Sequence, residues 1–190
     1  DEEKYLKLFR QEFEALKTLR HPGIPESDPD DFFSVGVGGN EEDTLHCLTM
    51  SKFEGISLTQ WVKENGRLSQ DRVIDWLGQI GEILDYMHNR GYFHRDIKPD
   101  NIIVQPNCKL ALIDFGGARE ITDTYLSKIT YPATQALTQI HSLLYSAPEQ
   151  INGRAVPQSD FYSLGRTFIF AATGKEINEL PMDEKTGQLR

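Results

Sequence analysis

Cysteine is scarce in this 190-residue chain, with only Cys47 and Cys108 present. The two fall in different predicted elements and lack the spacing of a metal site, so free thiols in a reducing compartment are favoured over a disulfide. No apolar run reaches the roughly 18 residues that a membrane span needs. There is no signal peptide, so the chain reads as cytoplasmic, with any membrane tether outside it. Positive charge is also short: 20 Lys and Arg stand against 29 Asp and Glu, a net charge of −9. That balance argues against a nucleic-acid backbone or an anionic membrane as the main partner. Part of the acidic excess sits in 26–31 and 41–43, which read as solvated loops. Repeats and low-complexity segments are absent. The hydrophobic share of 38% is low, yet sufficient for one core. The chain starts at Asp1 rather than Met, directly in a helical pattern, and so reads as an excerpt of something longer.

What is present divides into an opening helix, two strands, and a longer helical part. Tyr5, Leu8, Phe9, Phe13, Leu16 and Leu19 recur at helical steps and predict a helix over 1–20, stopped by His21-Pro22-Gly23. Glu12 lies on this apolar stripe, where a carboxylate either finds a partner or reaches past the edge to water. Strands are predicted over 32–37 and 45–50. Ser57 caps a short helix to about Glu64, and Ser69 caps a longer one to about Asn89, with Val73, Trp76, Leu77, Ile80, Ile83, Leu84 and Met87 inward. Short strands follow over 101–104 and 109–113. A hydroxyl-rich segment, 118–146, is predicted to be one long loop. A helix over 157–172 places Phe161, Leu164, Phe168 and Ile169 inward and is expected to be buried nearly all round. Residues 173–190 are polar and give no clear element.

The densest chemistry is Phe93-His94-Arg95-Asp96-Ile97-Lys98-Pro99-Asp100-Asn101. Pro99 forbids a regular element here, so these side chains share a loop. A carboxylate can take a proton, an ammonium can screen anionic oxygens, and an amide oxygen can ligate a hard cation. That set suits a phosphate and its metal. Asp114-Phe115-Gly116-Gly117 adds a second carboxylate at a strand end, followed by glycines that let the backbone approach a ligand.

His94 to Asn101 as HRDxKxxN, Asp114-Phe115-Gly116, Ala147-Pro148-Glu149 and Ser159-Asp160-Phe161 occur in the order of the eukaryotic-type serine/threonine protein kinases, and the chain resembles the bacterial branch of that family. The resemblance implies an α+β fold: a truncated small lobe of one helix and two strands (1–50), a hinge (51–56), a mostly helical large lobe (57–172), and a polar tail (173–190). It implies ATP and Mg²⁺ as cofactors and protein Ser/Thr hydroxyls as substrates. Asp96 would accept or orient the hydroxyl proton, Lys98 would neutralise the transferring phosphoryl group, and Asn101 and Asp114 would bind Mg²⁺. Glu12 would pair with an ATP-holding lysine. Met50 would gate the adenine pocket, with Ser51 to Phe53 as the hinge. His94, Phe115, Gly116 and Glu149 would have structural or regulatory parts, and Asp160 would hold the catalytic loop's backbone. Arg95 would read phosphorylation of the 118–146 segment, at Thr122, Thr124, Ser127, Thr130, Thr134 or Thr138, and Ser142 would face the substrate.

There are also departures from the pattern. The family's glycine-rich loop and lysine would precede the Glu12 helix. The isolated chain is therefore expected to transfer phosphate poorly or not at all. Gly117 stands where the family has a bulky apolar residue and is expected to loosen the following segment. A kinase-like scaffolding or nucleotide-binding module without phosphoryl transfer is the alternative. A small-molecule phosphotransferase is disfavoured by Ala147-Pro148-Glu149.

Overall fold

The spacing of Leu8, Phe9, Phe13, Leu16 and Leu19 builds helix α1 (Glu2–Thr18), which buries Phe13, Ala15 and Leu16. In this computed structural model, which describes residues 2–36, 44–120 and 144–181, Tyr5 departs from the expected stripe and is 68% exposed. It lies at the open end of the helix, on the rim of a cavity. After α1 the chain turns at Gly23. A Cβ there would stand 2.5 Å from Ile83, so glycine is what lets the turn lie against the next layer. The Gly23 carbonyl then accepts from Leu112 N–H at 2.8 Å.

Strands β1 (Phe32–Gly36) and β2 (Thr44–Leu48) pair antiparallel, with Phe32 opposite Leu48. Phe32 packs on Phe9 and Phe13, at ring separations of 5.6 and 5.3 Å, and so fixes this ribbon to α1. The second strand ends two residues short of the predicted Met50. The reason is a change of partner: Thr49 N–H goes to Asp31 O and Ser51 N–H to Glu26 O, outside the ladder.

Helices α2 (Leu58–Asn65) and α3 (Gln70–His88) begin at the predicted caps. Ser57 accepts from Gln60 N–H at 3.2 Å, and Ser69 from Arg72 N–H at 3.4 Å. Such caps contribute about 1 kcal/mol each. Trp76, Ile80, Ile83, Leu84 and Met87 line the buried face of α3. Leu77, predicted inward, is exposed, because it sits one residue and about 100° around the helix from Trp76.

The loop over 93–101 is set in a frame of short strands. β3 (Ile56–Ser57), β5 (Ile102–Val104) and β6 (Leu110–Leu112) form one sheet in the order β3-β5-β6, and β4 (Tyr92–Phe93) pairs with β7 (Arg119–Glu120). Asn101, predicted at a strand start, instead closes a 3-10 turn over Pro99–Asn101, and pairing starts at Ile102. Pro99 explains this, since it has no N–H to give a ladder. Helix α4 (Pro148–Ile151) leads into α5 (Pro157–Thr173). The α5 stripe of Ser159, Asp160, Ser163, Leu164, Thr167, Phe168, Phe170 and Ala171 is buried. Phe161 and Tyr162 are exposed, so the helix is not enclosed on all sides as predicted, and Phe161 does not point inward. Within 173–181, a 3-10 turn over Ile177–Glu179 buries Ile177 completely, giving structure to a stretch predicted to have none.

Candidate active site

Two backbone positions are strained where the chemistry is concentrated. Arg95 has φ 69° and Asp114 φ 66°, both left-handed and costly for residues with a Cβ. Such conformations persist only when neighbours hold them. Asp160, fully buried near the start of α5, accepts from His94 N–H and Arg95 N–H, each at 2.8 Å. Its Oδ2 also meets His88 Nε2 at 2.9 Å. His88, in the last turn of α3, went unremarked in the sequence. Its only signal was a histidine at the end of the helix that delivers the loop.

His94 is fully buried, with its ring edge-on to Phe115 at 4.9 Å. Burial pushes its pKa below the ordinary 6.5, against the pull of Asp160, Asp96 and Asp114. The ring is therefore neutral near pH 7, and its Nδ1 accepts from Asp96 N–H at 3.3 Å.

Asp96 Oδ2 receives Lys98 Nζ at 2.7 Å and Asn101 Nδ2 at 2.9 Å. The same Asn101 nitrogen reaches Asp96 O at 2.9 Å. The Asn101 amide thus turns its donor end to the loop, which leaves its oxygen as the free ligand end. Asn101 O accepts from Ile113 N–H at 2.9 Å, placing the strand end that carries Asp114 beside the loop. Asp114 is exposed, and its Oδ1 accepts only a long 3.4 Å bond from Gly116 N–H among the described residues. An amide oxygen and a lightly engaged carboxylate fit a hard divalent cation. Among the described residues, no group of three or more His, Cys, Asp or Glu could hold a metal ion.

Glu12 points from α1 toward the same place. Its Oε2 lies 3.6 Å from where a Cβ on Gly116 would stand. Burial raises its pKa above 4.5, and Asp114 adds to this, partly offset by a hydrogen bond from the Phe115 backbone. It lines a cavity of about 400 Å³ with Leu8, Phe9, His46 and Gly116. A carboxylate facing a second carboxylate is an unbalanced arrangement that a cation would relieve.

The segment that Gly117 was expected to loosen lies, beyond Glu120, outside the described residues. A Cβ on Gly117 would meet His94 O at 3.0 Å and the Asp96 Cβ at 3.5 Å, so the missing side chain is what allows close approach to the loop. Glu149 accepts from Ser159 Oγ at 2.6 Å, joining α4 to α5. Met50 and Ser51 are exposed, and Phe53 is half-buried. The Ser51 N–H and Oγ are both engaged with the Glu26 backbone, at 2.8 Å each. Ser142 and the six candidate phosphorylation positions lie outside the described residues.

The chain is similar over most of its length to known proteins. A model of the protein kinase domain matches residues 1–189. Serine/threonine-protein kinase B of Synechocystis is 36% identical over 186 residues, covering 96% of this chain and 31% of that protein. Serine/threonine-protein kinase PknA of Nostoc is 40% identical over 150 residues, covering 78% and 26%. Serine/threonine-protein kinase PknA of Mycobacterium tuberculosis is 34% identical over 173 residues, covering 90% and 38%. The chain therefore spans about a quarter to two fifths of the length of these relatives.

Proposed function

Since the chain belongs to the protein kinase family, we propose that it serves ATP-dependent transfer of a phosphoryl group to Ser and Thr hydroxyls of proteins. The observation that carries this reading is the Asp96–Lys98–Asn101 cluster with Asp114 held beside it. Among the described residues both side-chain hydrogen bonds to Asp96 fall on Oδ2, and Oδ1 would take or orient the proton of an incoming hydroxyl. Lys98 carries a positive charge 2.7 Å from Asp96, close enough to screen the anionic oxygens between nucleophile and leaving group. Asn101 and Asp114 would hold Mg²⁺, which when bound neutralises phosphate charge and orients the nucleotide. Glu12 would pair with a lysine on the ATP phosphates, with Met50 and Ser51 to Phe53 beside the adenine. Arg95 would take the phosphate of a modified activation segment.

The test is radiolabelled phosphate transfer from ATP to a protein acceptor, with calorimetric ATP titration alongside. Asp96→Asn should remove transfer and leave ATP binding nearly intact. Asp114→Ala should remove Mg²⁺-dependent ATP binding. Full transfer by the first variant would sink the role of Asp96. ATP binding without transfer by the wild-type protein would favour the scaffolding alternative.

A further inference from the structure

Arg95 is the left-handed residue immediately before Asp96, and its two flanking peptides are held from different elements. The peptide before it is held by Asp160, through Arg95 N–H. The peptide after it joins Arg95 to Asp96 and has two groups to place. Its N–H goes to His94 Nδ1 at 3.3 Å. Its carbonyl, Arg95 O, accepts from Gln150 Nε2 at 2.5 Å. The orientation of the Gln150 amide follows from chemistry: a carbonyl can only accept, so the nitrogen must be the end that faces it.

Gln150 belongs to α4, the short helix that begins at Pro148, one position after Ala147. The same nitrogen reaches Ser146 Oγ at 3.4 Å, on the segment leading into that helix. The neighbouring Glu149 is tied to Ser159 and so to α5. Gln150 is therefore part of a braced unit, and it spans 55 residues of sequence to touch the loop.

We propose that Gln150 is a positioning residue: by fixing the Arg95–Asp96 peptide it sets the orientation of Asp96 relative to the acceptor hydroxyl. This rests on the phosphotransfer reading above. Arg95 in a left-handed conformation costs about 1–3 kcal/mol unless its surroundings over-determine it. Without Gln150 the preceding peptide stays fixed by Asp160, while the following one keeps only the 3.3 Å bond to His94 Nδ1 and can rotate. Rotation there swings the Asp96 Cα–Cβ direction, and misplacement by about 1 Å costs on the order of 100-fold in rate. Lys98 and Asn101 are anchored on Asp96, and the strand end that carries Asp114 on the Asn101 backbone, so nucleotide binding does not depend on Gln150.

The experiment uses the intact protein with Gln150→Met, which keeps length and loses the donor, and Gln150→Glu, which keeps shape and turns the donor into an acceptor. Steady-state kinetics should show kcat lowered about 10- to 100-fold in both, with KM for ATP within about twofold. Amide hydrogen exchange should quicken in peptides covering 93–98 while the core of α3 keeps its protection. A kcat within about twofold of wild type for both variants overturns the inference, as does unchanged exchange at 93–98. A loss confined to KM for ATP also overturns it. If the wild-type protein transfers no phosphate, the reading of function fails, and the exchange rates alone decide whether Gln150 holds the loop.

Discussion

Asp96 and Glu12 are both carboxylates near the same cleft, and their surroundings treat them differently. Asp96 has a cation and an amide donor on one oxygen. Replacing it with Asn removes the proton acceptor and puts an amide nitrogen or oxygen against Lys98. Rates of phosphate transfer should fall at least about 100-fold, the usual size of a general-base contribution. Glu12 instead is partly desolvated and faces Asp114, which raises its pKa. A charge held in that state opposes folding at neutral pH. Glu12→Gln should therefore raise the melting temperature at pH 7, by about 2–4 °C for each kcal/mol relieved. The same variant should weaken transfer, because it abolishes the charge that a lysine would meet. A variant that melts no higher than wild type in a thermal scan would show that Glu12 already has its cation.

Helix α5 is the element on which the loop's shape depends. Asp160 is its buried carboxylate, with partners on the loop and on α3. Asp160→Ala leaves two backbone N–H groups without their acceptor. Equilibrium denaturation should show a loss of about 3–5 kcal/mol. Gly117 acts from the opposite side: Gly117→Ala should press on the His94 carbonyl and lower kcat while leaving the fold cooperative, as kinetics and a thermal melt together would reveal. Much at this level was legible in the sequence. Ser57 and Ser69 announced their helices, because a cap is a local hydrogen bond and needs no tertiary information. The grouping of Asp96, Lys98 and Asn101 was legible because Pro99 confines them to one loop. Leu77 and Phe161 were misplaced because apolarity marks a face only to within a residue or so, and the packing partner decides the edge. Gln150 and His88 were not recognisable as anchors of the loop, since their partners are distant in sequence.

For the whole molecule, His94 and His21, both with lowered pKa, set an acid limit. His94 is pushed below 6.5 by burial. His21 is also lowered, chiefly by burial, with Glu82 opposing and Arg90 assisting. In both, the unfolded chain binds a proton more readily than the folded one. Their contribution to stability is therefore complete above pH 6.5 and is lost as pH falls below it. Melting temperature should decline between about pH 7 and about pH 5.5, and His21→Gln should flatten part of that decline. A melting temperature that stays level across this interval would contradict the sign. Among the described residues no helix is long and apolar enough to cross a membrane.

The bond between Asp160 and the backbone of His94 joins positions 66 residues apart. During synthesis the loop leaves the ribosome well before the carboxylate that shapes it. Until then the His94 and Arg95 N–H groups lack that acceptor, and the nascent chain carries these side chains without their full arrangement. The loop's arrangement thus waits on position 160, and a ribosome that stalls before it releases a product with the loop residues and without the carboxylate that orders them.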